Sequence, residues 1–201
     1  MTPLEIYNSI KNYIGKDNII CNLHSACKNS KYLCEQIASN KNVLDFDAVS
    51  HKWCEEKSIS DFKSVDAVTN SVSNNYFCFI ELKSWKLFLK HNQNESDIDK
   101  QAKKYESDLP NKLQKSIELC KEITKKDSTF KDCSILFILL TDISDKDGIS
   151  SIDNALTALA GTASNLKTLC NKKSKDVLDK ISNIETRYWE CKEFDEKIAK
   201  L

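Results

Sequence analysis

Apolar residues recur at helical spacing in the first part of the chain, where they predict three helices. A helix is predicted over residues 3–14, with Leu4, Ile10 and Ile14 as its apolar positions and Pro3 near its start. The other two helices are predicted over residues 25–39 and 46–57, with Ser25 and Asp45 as their N-caps.

Extended segments follow these helices. Two strands are predicted over residues 62–69 and 76–83, joined as a hairpin by the turn-rich residues 70–75. Residues 134–141 are continuously apolar, which is typical of a strand covered on both faces. A loop is expected over residues 142–148.

The remaining polar and apolar pattern is helical. Asp108 and Pro110 suit the start of a helix that continues to about residue 126, separate from a helix at about 96–107. Two last helices are predicted over about 150–170 and 173–199. This order of elements predicts an α/β protein whose mixed central sheet of about four strands is flanked by helices.

The strand predicted over residues 76–83 carries two charges, Glu81 and Lys83, in an otherwise apolar run. An unpaired charge in a buried strand is costly, and positions i and i+2 share a face. The acid-x-Lys tripeptide alone carries little information, since it also occurs at 55–57, 61–63, 190–192 and 195–197. Only the tripeptide at 81–83 lies inside a strand pattern.

The pairing of the hairpin determines what lies beside Glu81. With residues 70–75 as the loop, Asp66 is expected to face Phe79 across the antiparallel pair. Asp66 would then share a face with Glu81 as its diagonal neighbour, with Cβ atoms on the order of 7–8 Å apart. A slip of one residue would move Asp66 to the opposite face.

Two carboxylates and a lysine on one strand pair are the groups that a metal-dependent phosphodiesterase needs. Mg²⁺ prefers carboxylate and carbonyl oxygens, so Asp66, Glu81 and the main-chain carbonyl of Leu82 are candidate ligands. The ion would polarise a phosphodiester and lower the pKa of a bound water. Lys83 would orient that water and offset charge that develops on phosphorus.

This arrangement resembles the PD-(D/E)xK nuclease superfamily, which has the restriction-endonuclease-like fold. The superfamily pattern is a helix, hairpin strands carrying Asp and then Glu-x-Lys, a helix and a strand. The same order is found over about 95 residues here, in 46–57, Asp66, Glu81-Leu82-Lys83, 96–126 and 134–141. Val65 precedes Asp66 where the motif has proline. The resemblance implies hydrolysis of DNA with Mg²⁺ or Mn²⁺, and RNA remains an alternative substrate.

A second motif resembles one subset of that superfamily. Gln101 and Tyr105, one helical turn apart, match the QxxxY motif of RecB-like and Cas4-like nucleases. The resemblance implies that Gln101, Tyr105 and the intervening Lys104 contact substrate. The subset also uses an upstream metal-binding histidine, for which His24 and His51 are candidates. No iron–sulfur cysteine cluster accompanies the motif, which separates this chain from the Cas4 type.

An additional carboxylate for a second ion is expected near the hairpin. Glu55 or Glu56, at the end of the helix predicted over 46–57, is preferred because that helix end is closer to the hairpin. Glu35 on the preceding helix is a competitor. An exposed helix end would also explain Glu55 and Glu56 without any role as ligands.

The composition limits the remaining classes of function. The chain has 201 residues, with 30 basic and 30 acidic side chains and nine cysteines. Balanced charge provides no global field toward nucleic acid or a membrane, and no apolar stretch is long enough for a membrane span. An odd cysteine count without a CxxC pair or signal peptide favours a reduced cytoplasmic protein over a disulfide framework or a zinc site.

Together these features predict a single nuclease-like domain over residues 1–201. Its core would span about 45–142, between N-terminal helices in 1–44 and a C-terminal helical extension in 150–201. The alternative is a catalytically silent binding or assembly module of the same fold in a nucleic-acid-processing or defence complex. The C-terminal helices would suit docking on the sheet, a homodimer contact or a partner protein.

Overall fold

The computed structural model describes residues 1–15, 20–23, 41–60, 62–71, 73–84, 95–142 and 184–201. Within these ranges the chain forms six β-strands, four α-helices and a short 3-10 helix. In chain order these are α1 (Pro3–Ile14), β1 (Ile20–Asn22), β2 (Asn42–Asp45), α2 (Phe46–Lys57), β3 (Ala67–Ser71), β4 (Tyr76–Lys83), α3 (Glu95–Thr124), β5 (Ser134–Thr141), β6 (Ile184–Glu190), the 3-10 helix (Cys191–Glu193) and α4 (Phe194–Ala199).

The six described strands form one mixed sheet whose spatial order follows the chain, from β1 to β6. Neighbours from β1 to β4 are antiparallel, whereas β4, β5 and β6 are parallel. Helix α3 lies between β4 and β5 in the chain, as expected because parallel neighbours need a long connection. The predicted α/β class with a mixed sheet is confirmed, but the prediction of about four strands is too low.

The additional strands are β1, β2 and β6. The first two have 3 and 4 residues, which is too short for an alternating pattern to stand out within the predicted N-terminal helical region. β6 falls within the helix predicted over 173–199, although Ile184, Thr186 and Trp189 are residue types that favour strands. The predicted helical extension is therefore wrong over β6. The helices predicted over 25–39 and 150–170 lie outside the described residues.

Helix α1 has the predicted bounds and begins with a reciprocal cap. The Thr2 hydroxyl accepts the N–H of Glu5 at 3.3 Å, and the Glu5 carboxylate accepts the N–H of Thr2 at 2.8 Å. Ile6 and Ile10 are fully buried against the sheet, whereas Leu4 is 46% exposed. The buried stripe of α1 therefore runs through Ile6 and Ile10, and Leu4 lies outside it.

Helix α2 also has the predicted bounds, and Asp45 is its N-cap as expected. The Asp45 carboxylate accepts the N–H of Ala48 at 3.0 Å. Phe46 and Val49 are buried in the core beneath the helix. Since β2 ends at this cap, the strand leads directly into the first turn of α2 and positions Asp47 there.

Helix α3 is continuous over 30 residues, although the sequence predicts a break before Pro110. Proline inside a helix removes one backbone hydrogen bond. Leu109, Leu113 and Ile117 are nevertheless fully buried in the core, so apolar packing outweighs this local cost. The prediction of two separate helices is wrong here. Among the described helices, including this long one, none is apolar enough over sufficient length to cross a membrane.

The β3–β4 hairpin pairs two residues away from the predicted register. Ala67 lies opposite Ile80, because β3 extends two residues beyond the predicted strand end and shortens the loop. Continuing this pairing by one residue puts Asp66 across from Glu81, not across from Phe79. A shift of two residues keeps every side chain on its face. The register prediction is therefore wrong, while the predicted shared face is retained.

Alternating side chains along β4 contribute to two hydrophobic clusters on opposite sides of the sheet. Phe77 and Phe79 pack with buried residues of α1, α2 and α3. Ile80 belongs to the second cluster, which includes buried residues of α4. Because strand side chains alternate, Glu81 and Lys83 project from the Phe79 face, toward α2 and α3.

Candidate metal centre

Asp66 lies in the bend that leads into β3, where hydrogen bonds fix its position. Its carbonyl oxygen accepts the N–H of Phe46 at 3.0 Å, which connects the start of α2 to the start of β3. Its Oδ2 accepts the N–H of Leu82 at 2.5 Å. The half-buried carboxylate is therefore held beside the end of β4.

Glu81 provides a buried carboxylate, with only 2% of its side chain exposed. Its Oε1 accepts a charge-assisted hydrogen bond from Nζ of Lys112 at 2.6 Å. Its Oε2 is also buried and has no hydrogen-bond partner within the described part of the chain. Because buried polar atoms are nearly always paired, this oxygen marks a position where a ligand would be stabilised.

Two further charged residues join this cluster, and neither is predicted from the sequence. Asp47 lies in the first turn of α2, where its Oδ1 accepts the Ser64 hydroxyl at 3.0 Å. Lys112 reaches the cluster from α3. An acid in a first helical turn is ordinary, and Lys112 is one of many lysines in its helix. The neighbouring sequence does not distinguish Asp47 or Lys112 from acids and lysines that are exposed to solvent.

The three carboxylates are electrostatically linked, and burial raises the pKa of each. Burial and the Glu81 charge raise the pKa of Asp66 to about 7. Burial and the Asp66 charge raise the pKa of Asp47 to about 6. Burial also raises the pKa of Glu81, even though the adjacent Lys112 acts in the opposite direction. Negative charge of three carboxylates is therefore concentrated in a partly buried site.

The two lysines of the cluster differ in the direction of their pKa shifts. Burial acts to lower the pKa of Lys112, but the charges of Glu81 and Asp66 raise it above the ordinary value. Burial lowers the pKa of the half-buried Lys83, and the attraction of Glu81 only partly opposes this. Shifted groups of both signs at one buried position are typical of functional sites.

The structure thus brings Asp66, Glu81 and Lys83 together at one end of the β3–β4 pair. Lys83 is the last residue of β4 and is paired with Thr141 of β5. The charges of Asp66 and Glu81 both act on the Lys83 ammonium. The side chains that the sequence singles out therefore share one electrostatic environment.

The donor atoms fit a hard divalent cation. Within the described residues, no three His, Cys, Asp or Glu side chains converge as a ready-made metal cage. Mg²⁺ is commonly held by only one or two carboxylates, and substrate phosphate and water complete its coordination. Asp66 and Glu81 supply two carboxylates, and Oε2 of Glu81, which has no partner in the described ranges, would be stabilised by a cation. This set fits Mg²⁺ or Mn²⁺ bound together with substrate.

The main chain of Leu82 contributes to the same edge. In a paired strand the N–H and C=O of one residue project toward the same neighbour. Because the Leu82 N–H points at Asp66, its carbonyl oxygen also lies on the Asp66 side of β4. The predicted role of this carbonyl as a ligand is compatible with the local geometry.

The predicted additional carboxylates Glu55 and Glu56 are exposed near the end of α2. Glu56 accepts the Tyr13 hydroxyl at 2.5 Å and lies 3.8 Å from Lys52, so its contacts lead to α1. Glu55 lines an open cavity of about 410 Å³ together with Asp47 and His51. Asp47, not the helix end, supplies the α2 carboxylate that acts electrostatically on Glu81.

The remaining predicted site residues are either exposed or lie outside the described part of the structure. His51 is exposed on α2, one turn after Asp47. Gln101 and Tyr105 belong to α3, but their side chains lie outside the described part of the structure. Lys104 is exposed on the same helix. The predicted candidates His24 and Glu35 also lie outside the described residues.

Comparison with known proteins leaves the family unassigned. No protein-family model, curated protein or solved structure matches the chain. Any assignment to the PD-(D/E)xK superfamily therefore depends on the residue pattern and on the chemistry of Asp66, Glu81 and Lys83, and it is a proposal.

Proposed function

We propose that the protein is a Mg²⁺- or Mn²⁺-dependent nuclease of the PD-(D/E)xK type that hydrolyses DNA. The observation that carries this proposal is the buried Glu81 carboxylate, which lies near a second carboxylate, Asp66, and whose Oε2 has no partner among the described residues. RNA remains an alternative substrate. The order of α2, the β3–β4 hairpin, α3 and β5 agrees with the restriction-endonuclease-like arrangement.

The energetics of burial support a functional role for these carboxylates. A buried charge is destabilising unless it is well paired, and an apolar replacement is often at least as stable. Here three carboxylates with raised pKa values lie near one another, so the arrangement opposes stability. Groups kept in such an unfavourable environment are candidates for chemistry rather than packing.

Each residue has a task in phosphodiester hydrolysis. Asp66, Glu81 and the Leu82 carbonyl would hold the cation. When bound, the cation supplies Lewis-acid polarisation of the phosphate and a lowered pKa for water. Lys83 stabilises negative charge that develops on phosphorus, and its lowered pKa also suits it to exchange a proton with the attacking water.

The part of the site that contacts the rest of the substrate is assigned by resemblance. Gln101, Lys104 and Tyr105 lie on α3, the helix that also carries Lys112. In this proposal they contact the nucleic-acid strand near the reacting phosphate. The exposed position of Lys104 agrees with a phosphate contact of the point-charge type.

Cleavage assays test the proposal. Purified protein would be incubated with single- and double-stranded DNA and RNA in Mg²⁺, Mn²⁺ or EDTA. We expect cleavage that depends on the cation and is strongly reduced in Asp66→Ala and Lys83→Ala. Cleavage that persists at the wild-type rate in both variants would come from a contaminant and would remove the assignment. Absence of cleavage on all substrates would favour the silent binding or assembly module.

A further inference from the structure

Lys112 of α3 contacts the Glu81 carboxylate of β4 and is the basic residue on which all three acids act. Its Nζ lies 2.6 Å from Oε1 of Glu81, and 24% of its side chain is exposed. The charges of Glu81, Asp66 and Asp47 all act on this one ammonium group. The lysine therefore serves as a cation that the protein itself supplies to the cluster.

We propose that Lys112 is the resident counter-cation of the metal-free site and that it opposes binding of the divalent ion. This inference rests on the proposed metal site and adds a residue that controls its affinity. A divalent ion at Asp66 and Glu81 experiences repulsion from Lys112, so the metal and the ammonium compete for the same carboxylate charge. Lys112 thereby stabilises the empty site and weakens the loaded one.

The net charge of the cluster indicates that loss of the Lys112 charge should strengthen the binding of a divalent cation. With Asp47, Asp66 and Glu81 ionised and Lys83 and Lys112 protonated, the five groups sum to a charge of minus one. Neutralising Lys112 leaves the same carboxylates with one more net negative charge, which attracts a divalent cation more strongly. Protons compete with metal ions for carboxylates, so binding is compared at one fixed pH of about 8.

Mn²⁺ binding measured by electron paramagnetic resonance of the free ion tests this proposal at about pH 8. Lys112→Gln removes the charge but keeps a hydrogen-bond donor for Glu81, and Lys112→Met removes both. We expect Lys112→Gln to bind Mn²⁺ at least about tenfold more tightly than wild type. Lys112→Arg, which keeps the charge, should stay within about threefold of wild type.

Lys115→Met is the matched control, because Lys115 lies on the same helix and packs over the Phe62 ring at 5.4 Å. It removes an equal charge outside the cluster and should leave the Mn²⁺ affinity within about twofold of wild type. The increase in thermal midpoint caused by Mn²⁺ provides a second readout. It should be larger in Lys112→Gln than in wild type, even if Lys112→Met fails to fold.

The outcomes separate this inference from the proposed function. Equal or weaker Mn²⁺ binding by Lys112→Gln, with wild-type binding intact, would overturn the role of Lys112 and leave the metal site standing. Equal gains in Lys112→Gln and Lys115→Met would overturn it as well, since any lysine of the helix would then suffice. Absence of Mn²⁺ binding in every protein would overturn both proposals. Tighter binding in Lys112→Gln alone would support both.

Discussion

The same tripeptide pattern ends two strands of the sheet with opposite consequences. Glu81-Leu82-Lys83 ends β4, and Glu190-Cys191-Lys192 begins at the last residue of β6. Lys192 lies 2.7 Å from Glu190, and their side chains are 64% and 24% exposed. Glu81 is 2% exposed and is paired with Lys112 of α3.

This difference shows that the surroundings, not the tripeptide, create a candidate site. At the end of β6 the lysine neutralises its own glutamate in contact with solvent, which is worth little energetically. At the end of β4, helices α2 and α3 and the bend before β3 add Asp47, Lys112 and Asp66 near one glutamate. Substitutions made in parallel at the two tripeptides therefore test whether only the β4 copy carries function.

The largest expected effect is on catalysis, from Glu81→Gln compared with Glu190→Gln. Glu81→Gln removes a ligand charge, so we expect kcat/KM for DNA cleavage to fall by about 10³-fold or more. Glu190→Gln should stay within about twofold of wild type. Rates with saturating Mg²⁺ on the same substrate provide the comparison. Equal losses in the two variants would break the distinction between the tripeptides.

The next largest expected effect is a fall in kcat when Lys83 is replaced, compared with the replacement of Lys192. Lys83→Ala should lower kcat by about 10²-fold because a group that stabilises the transition state is removed, whereas Lys192→Ala should change it little. Mn²⁺ should still bind to Lys83→Ala, because the two carboxylates remain. Loss of Mn²⁺ binding together with activity would show that Lys83 maintains the site's structure instead of its chemistry.

A stability measurement examines Asp66, the acidic neighbour that distinguishes Glu81 from Glu190. The pKa of folded Asp66, about 7, lies above the value of about 3.9 for an unfolded aspartate. Between these values the folded protein binds the additional proton, so its stability falls as pH rises from about 4 to about 7. This sign is opposite to that of a carboxylate stabilised by a salt bridge.

Asp66→Asn should remove this fall, because the amide does not ionise and its oxygen can still accept the Leu82 N–H. We expect its free energy of unfolding to exceed that of wild type by about 1–3 kcal/mol at about pH 8, with little difference near pH 4. Urea unfolding without metal measures both proteins across this range. Parallel stability curves would contradict the raised pKa.

The smallest expected effect is on Mn²⁺ affinity, and it compares Asp47 in the first turn of α2 with Glu56 near its end. Asp47→Asn should weaken Mn²⁺ binding by about three- to tenfold, because one negative charge near Glu81 is lost. Glu56→Gln should change it by less than about twofold, since Glu56 is exposed and contacts Tyr13. A larger effect at Glu56 than at Asp47 would restore the helix end as the source of the additional carboxylate.

The elements with a strong local pattern could be predicted from the sequence. β4 and β5 are continuous apolar runs, while α1 and α2 combine a cap with buried positions, so their bounds agree with prediction. The face shared by Asp66 and Glu81 was predictable because the error in register was an even number of residues. An error of one residue would have separated them.

The rest of the site depends on contacts between residues far apart in the chain. Lys112 meets Glu81 across 31 residues, and no spacing rule connects positions in a strand and in a later helix. The continuity of α3 through Pro110 likewise depends on burial against the sheet, which local propensity does not contain. β6 was missed because its strand-forming residues lie within a segment that also fits helical spacing.

Anomalous scattering from crystals soaked in Mn²⁺ would show whether Asp66 and Glu81 hold a divalent cation. We expect a peak beside the carboxylates of Asp66 and Glu81, and no such peak in crystals of Glu81→Gln. A peak at Glu190, or no peak near Asp66 and Glu81 at concentrations that support cleavage, would contradict this expectation.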